Sequence, residues 1–354
     1  MRSDSQRNKP TMQTIADELG LSKSLVSKAL ANKHGVSEET KRQILLTASR
    51  VGYRINSSVM TVGTSRTGTI TLLLPREDLK DLEYWGQIIH SIEDELSSRL
   101  FSLILSGVDM KKPSSLALPS CITDAKVDGA IVMGRISATY VHAIHTKGIP
   151  VVLLDADNYG NPTLDHVMAD NFGGGYNATE FVLEKNHRRV AFIGDLSYSY
   201  SFRERHRGFL ACVERYRRSY PHIAFEVIEI TAPSEDPGCP FSTEQLRTTL
   251  RNHKTLPTVL VCANDPTAFI AIKEMDKMGF RCPDDISVIG FDNLNNDRWL
   301  DPQLTSVDAR ISSMGRRAVE LLLKRLEEPQ RRSEILMITT EVVERASVKQ
   351  LQER

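Results

Sequence analysis

The sequence predicts an α/β molecule in two parts: a small three-helix head and a larger body of parallel, doubly wound sheets in two lobes. Three observations predict it. The first fifty-odd residues carry helical periodicity with no strand pattern. From Thr69 onward, short β-branched runs alternate with amphipathic helical stretches, the signature of parallel sheets covered by helices. The number of such runs is high for one sheet, so two sheets with a cleft between them are expected.

The head comes first in the chain. Thr11 can cap a helix over Met12–Leu19, whose Ile15, Ala16 and Leu19 share a face, and Gly20 stops it. Ser22 caps a second helix carrying Leu25, Val26, Ala29 and Leu30. Ser37 caps a third, over Glu38–Val51, with Glu38 and Glu39 at its positive end and Ile44, Leu45 and Ala48 expected inward.

Ala16, Gly20 and Val26 lie four and then six residues apart. That spacing suits a helix-turn-helix: a small residue lets the second helix approach, glycine permits the turn, and valine packs the second helix back. The exposed face of that helix then offers Lys23, Ser24, Ser27 and Lys28 to a DNA major groove. Lys23 and Lys28 are the favoured base readers, since an ammonium donates to guanine O6 and N7. Thr11 and Ser22, at helix N-termini, suit phosphates. Ordinary surface residues and caps are the competing reading of each.

Charge supports the division. Residues 1–66 hold eleven Lys/Arg against five Asp/Glu, a surplus of six, while the whole chain is neutral. A basic head on an acidic body suits a polyanion at the head alone. Residues 56–69 are rich in Ser, Thr and Gly, a linker composition.

In the body, strands are expected at Ile70–Leu74, Ser102–Leu105, Gly129–Met133, Val151–Leu154, Arg189–Ile193, Ala224–Ile230, Thr258–Cys262 and Ser287–Gly290. Helices are expected at Gly86–Leu100, Gly174–Lys185, Glu204–Tyr216, Phe241–Asn252, Pro266–Met278 and Ser312–Leu326. A cleft should lie at the carboxyl ends of the strands, where successive loops converge. Asp155, Asn264 and Asp292 follow such strands, Tyr84 and Trp85 lie beyond the first, and Arg205 begins a helix after the strand ending at Ile193. A guanidinium, carboxylates and an amide can bracket vicinal hydroxyls, and an aromatic such as Trp85 or Phe269 can stack on a sugar face.

Several chemistries find no support. The five cysteines are scattered without a C-x-x-C pair, and read as reduced thiols of an intracellular protein. His142 and His145 have helical spacing but no third ligand nearby, so no metal site is expected, and no cofactor. The glycines of Phe172–Gly175 form no phosphate loop, and no Ser–His–Asp set can be assembled. The polar first ten residues make no signal peptide, and no apolar run approaches the roughly 20 residues that span a bilayer.

The run Thr11–Asn56 resembles the DNA-binding domain of the lac-repressor/galactose-repressor family. It carries the Gly20-Leu21-Ser22 turn, the Val26-Ser27-x-x-Leu30 helix, the Val36-Ser37-Glu38-Glu39-Thr40 helix start and the Gly52-Tyr53 ending. The family's usual Asn after the second helix is Ala31 here, with Asn32 one place later. Ile149–Asp195, Ser201–Phe209, Pro257–Asn293 and Leu304–Leu323 resemble the same family's periplasmic-binding-protein-like core, in which two lobes close on a small molecule.

The resemblance implies a regulator with a DNA-binding head over residues 1–56, a hinge over 57–68 and an effector-binding, dimerising core over 69–354. It implies a homodimer on a pseudo-palindromic operator, acting as a repressor, in the cytoplasm and without enzymatic activity. Effector contacts carry over to Arg205, Asn264 and Asp292, with Asp155, Tyr84 and Trp85 beside them; the ligand implied is a sugar or sugar derivative. Tyr53 and Asn56 remain at the hinge entry, but the usual Pro between them is Ile55. The residue that would wedge into the minor groove is Val62, followed by Gly63, where the family uses Leu. An activator of the same architecture and a transporter's solute-binding protein are the alternatives; the head argues against the second.

Overall fold

The structure is a computed structural model describing residues 10–30, 35–51, 53, 66–80, 82–109, 117–156, 164–236, 239–252, 256–294 and 301–352. Its first three helices are α1 (Met12–Leu19), α2 (Lys23–Leu30) and α3 (Glu38–Arg50). The Thr11 hydroxyl accepts from the Thr14 amide at 3.3 Å, and the Thr14 hydroxyl accepts from the Thr11 amide at 3.1 Å, closing a capping box. Gly20 ends α1 at φ 63°, a left-handed conformation that favours glycine. Ser22 and Ser37 cap α2 and α3 as expected, accepting from Leu25 N at 3.1 Å and Thr40 N at 3.2 Å.

Ile15, Ala16, Val26, Ala29, Leu30, Ile44 and Ala48 form the head's core. Leu45 does not join it and is 42% exposed. The face that points inward runs through Ile44, Thr47 and Ala48, and one residue along a helix rotates a side chain about 100° away.

The body has two six-stranded sheets. The first lobe contains β1 (Thr69–Pro75), β2 (Ser102–Val108), β3 (Gly129–Gly134), β4 (Val151–Ala156) and β5 (Asp165–Ala169). The second contains β6 (Arg189–Ile193), β7 (Glu226–Ile230), β8 (Val259–Cys262), β9 (Ser287–Phe291) and β10 (Thr305–Asp308). Two late strands complete them: β11 (Ile335–Ile338) joins β5 in the first sheet, and β12 (Glu341–Val343) joins β10 in the second. The orders are β11-β5-β4-β3-β1-β2 and β12-β10-β9-β8-β6-β7, parallel throughout except for β10–β12. Each order reverses direction beside its first strand, and that is where an open α/β sheet presents a crevice.

The chain crosses between lobes after β5, after β10 and after β11. The helices along it are α4 (Trp85–Ser98), α5 (Ser120–Thr123), α6 (Ala138–His145), α7 (Asn171–Glu184), α8 (Tyr200–Ser219), α9 (Thr243–Asn252), α10 (Asp265–Lys277) and α11 (Ile311–Glu327). The connection from α11 to β11 is tied to the first lobe by Asp165, whose buried carboxylate accepts from Arg325 Nε at 2.9 Å, Arg325 Nη2 at 3.0 Å and the Glu334 amide at 2.8 Å. Among the described residues, no helix is long and apolar enough to cross a membrane.

Candidate functional site

In the head, Lys23, Ser24 and Lys28 project from α2 into solvent and Ser27 is half-buried. Among the described residues neither lysine is held in an ion pair. Thr11 and Ser22 are exposed at their helix N-termini. Tyr53 packs half-buried against the head core, and its amide donates to Ala48 O at 2.9 Å, so it fastens the end of α3. Asn56 and Val62 lie outside the described residues.

In the body, Tyr84, Trp85, Asp155, Arg205, Asn264 and Asp292 all line one cleft between the lobes. The cavity they enclose is about 70 Å³, below the roughly 300–1,000 Å³ of small-molecule sites, so a ligand has to part the walls to enter. Phe269, offered above as a stacking aromatic, lies elsewhere, on a second groove along α10.

Arg205 is the fixed centre. It sits on α8, which approaches α7 closely because Gly175 and Gly208 leave room: a Cβ on Gly175 would lie 2.2 Å from the Arg205 carbonyl oxygen. The residue is 4% exposed. Its Nε donates to Asn171 Oδ1 at 2.9 Å, Nη1 to Ala263 O at 2.6 Å and Nη2 to Asp292 Oδ1 at 3.0 Å. The guanidinium lies over Phe291 at 3.6 Å from the ring centre.

Asp292 leaves β9 at φ 104° and Asp155 lies at the end of β4 at φ 44°. Both are left-handed conformations that cost energy in a residue with a Cβ, and both aim a carboxylate at the cleft. Asp155 joins the lobes. Tyr84 Oη donates to its Oδ2 at 2.6 Å, and Ser201 Oγ, from the second lobe, donates to its Oδ1 at 3.0 Å. Burial, and then the carboxylates of Asp155 and Asp292, hold the Tyr84 phenol well above its ordinary pKa, so it remains a donor.

Asn264 caps α10: its Oδ1 accepts from Thr267 N at 2.9 Å and Thr267 Oγ1 at 2.6 Å. The helix therefore takes the carbonyl, and the amide N–H groups are what this side chain offers a ligand. Beneath the site, Asp265 accepts from Ser306 Oγ at 2.6 Å and from the Leu294 amide at 2.8 Å. Burial first, and the nearby Asp292 second, push its pKa up to about 8. The whole set alternates acceptors and donors at the scale of hydroxyl groups.

A periplasmic binding protein-like domain profile matches residues 179–348. An HTH-type transcriptional repressor PurR of Histophilus somni (strain 129Pt) is 28% identical over 344 residues, covering 96% of this chain and 99% of that protein, head and body together. Head and body together, the chain is similar to the lac-repressor/galactose-repressor family. Solved structures agree in fold. The lac repressor dimer bound to operator and the anti-inducer ONPF is 20% identical with a TM-score of 0.68, over 97% of this chain and 100% of that one. A transcriptional regulator CelR–cellobiose complex is 22% identical with a TM-score of 0.67, over 96% and 100%.

The cleft also contains residues that the strand-end and resemblance arguments passed over. Ser201 and Arg135 are the main ones. Ser201 stands at the start of α8, four residues before Arg205, so helical spacing places both on one face. Arg135 comes directly after β3, as Asp155 comes at the end of β4, and the rule that found Asp155 finds it too.

Proposed function

We propose that this regulator is a repressor whose head, over residues 1–56, reads a pseudo-palindromic operator as a homodimer inside the cell, and whose core, over 69–354, binds a small ligand that alters the fit. In this reading Lys23, Ser24, Ser27 and Lys28 face the major groove, Thr11 and Ser22 face phosphates, and residues 57–68 link the head to the core. Half-sites then lie about one helical turn apart, roughly 34–36 Å.

One observation carries the effector half of the reading. The Tyr84–Asp155–Ser201 chain of hydrogen bonds runs from one lobe to the other through the cleft. A ligand that engages Asp155 therefore acts on the contact that sets the two lobes relative to each other. The first lobe is the one the head joins, at Thr69. A ligand shifts such an equilibrium only by its differential affinity for the two states, and coupling of about 1–3 kcal/mol is enough for a useful switch. The cellobiose of the CelR complex supports a sugar-like ligand.

The test is selection of binding sites from random duplexes by the full-length protein, followed by sugar titration of the selected complex. A two-fold symmetric motif and a ligand-dependent change in affinity are expected. Duplex binding with no sequence preference at low salt removes the operator reading. Sequence-specific binding that no small molecule alters removes the effector reading.

A further inference from the structure

We infer that the cleft takes an uncharged, hydroxyl-bearing ligand and rejects its phosphorylated or carboxylated relatives, with Asp155 setting the choice. The inference rests on the effector reading above and names the class of ligand for that same site.

The charges of the wall decide it. Among the described residues the cleft wall has three carboxylates, Asp78, Asp155 and Asp292, and two guanidiniums, Arg135 and Arg205. Arg205 is committed to Asp292 at 3.0 Å, and each side chain is only 5% exposed. A ligand anion that drew Arg205 away would break a buried ion pair from one side, which is costly. Arg135 lies 3.8 Å from Asp78 with 45% of its side chain in solvent, and its guanidinium rests over the Tyr198 ring at 4.1 Å. Its charge is shared and largely screened.

Asp155 is different. Its two oxygens accept from two neutral hydroxyls, Tyr84 at 2.6 Å and Ser201 at 3.0 Å, and no cation among the described residues pairs with it. The surplus negative charge of the wall therefore sits there, at the junction of the lobes. Tyr84 registers that field: after burial, the carboxylates of Asp155 and Asp292 are what raise its phenol, and Arg205 only partly offsets them.

A ligand hydroxyl can take the place of Ser201 on Oδ1 with no change in net charge, because a carboxylate accepts hydroxyl donors readily. A phosphate or carboxylate brought to the same point meets a like charge that no cation among the described residues pairs with. Building in such a repulsive element is how a site rejects a close analogue. Trp85, half-buried in the same wall, completes the match by offering an apolar ring to a sugar's C–H side.

The experiment uses charge-matched probes on the full-length protein, read by calorimetry and thermal shift. The sets are D-glucose, D-glucuronate and D-glucose 6-phosphate; the same three forms of D-galactose; D-ribose and its 5-phosphate; adenosine and its 5′-monophosphate. In whichever set binds, the neutral member is expected to bind at least tenfold more tightly than either anion. Asp155→Asn should narrow that preference to under threefold while weakening the neutral ligand. An acid or phosphate that binds more tightly than its neutral parent overturns the inference and leaves the effector reading intact. A preference unchanged in Asp155→Asn removes Asp155 as its source. If no probe of any charge shifts the melting temperature, the inference falls together with the effector reading.

Discussion

The head and the cleft hold their key side chains in opposite ways. Lys23, Ser24 and Lys28 stand in solvent, uncommitted to partners within the fold. Arg205 and Asp292 are nearly closed off from water and already bonded, to each other and, through Arg205, to Asn171 and Ala263. The difference follows from where each partner is supplied. A duplex brings its own phosphates and base edges to a flat contact, so the protein's donors must stay available and solvated until it arrives. A small ligand in a crevice must find polar groups already oriented, and a guanidinium taken out of water needs its counter-charge from the protein. Substitutions in the head should therefore act on binding, and substitutions in the cleft on folding as well.

The largest expected effect tests that contrast directly. Arg205→Ala breaks the buried ion pair with Asp292 from one side and removes three hydrogen bonds. Breaking a buried pair from one side costs about 3–5 kcal/mol. Urea denaturation followed by core fluorescence should show that loss. A cost below about 1 kcal/mol would mean that water reaches the pair and that the cleft is as solvated as the head.

A smaller effect, on the order of 2 kcal/mol between pH 5 and pH 8, is expected from Asp265, at about 1.4 kcal/mol for each tenfold change in proton affinity and with allowance for relaxation. Its carboxyl titrates at about 8 in the folded protein against an ordinary value of 3.8. The native state thus keeps a proton that the unfolded chain releases, and stability from this group is full below about pH 4 and lost as pH rises towards 8. Asp265→Asn removes the titration while still able to accept from the Leu294 amide and donate to Ser306 Oγ. Its stability relative to the parent should improve steadily from pH 5 to pH 8. Parallel melting curves for the two proteins across that range would show that Asp265 is ionised in the fold. His166 and His187, each lowered to about 4 by burial, act below pH 6.5 and in the opposite direction, and comparing Asp265→Asn with its parent cancels them.

How much was legible in the sequence divides along the same line. The head was readable because its constraints are local: a cap, a small residue, a glycine and a valine at fixed spacing determine where α1, α2 and α3 begin and how they pack. Leu45 was misplaced because apolar character was followed ahead of the helical angle. Eight strands of the body announced themselves as apolar runs, and β5, β10, β11 and β12 did not. Asp165 and His166 interrupt β5, and Thr305, Ser306 and Asp308 make β10 read as a polar loop. β11 and β12 lie at sheet edges, where Ile335 and Met337 point to solvent and no apolar alternation is required.

In the cleft, the strand-end rule found Asp155, Asn264 and Asp292, because a doubly wound sheet sends every such residue to one rim. What it could not supply is pairing. That Arg205 commits its charge to Asp292, or that Ser201 reaches across to Asp155, depends on elements 46 to 87 residues apart in the chain. Nothing in local spacing records which side chains from two lobes will meet.

The smallest expected effect lies in the head. Lys28 is exposed near the end of α2 and forms no ion pair among the described residues. Lys28→Ala should change stability by no more than about 0.5 kcal/mol, as for most surface positions. Discrimination at one operator base pair should nevertheless drop. A single ammonium lacks the two-pronged geometry of arginine, so the loss belongs at the lower end of the range for such contacts, ~1 kcal/mol, or about fivefold. Competition binding against operators varied one base pair at a time measures it. Relaxed preference confined to one position assigns Lys28 to a base edge. Equal weakening on every sequence, with a shallower salt dependence, would assign it to a phosphate instead. Either result separates it from Arg205, because an effect on binding without an effect on folding is what an exposed, uncommitted charge predicts and a buried, paired one forbids.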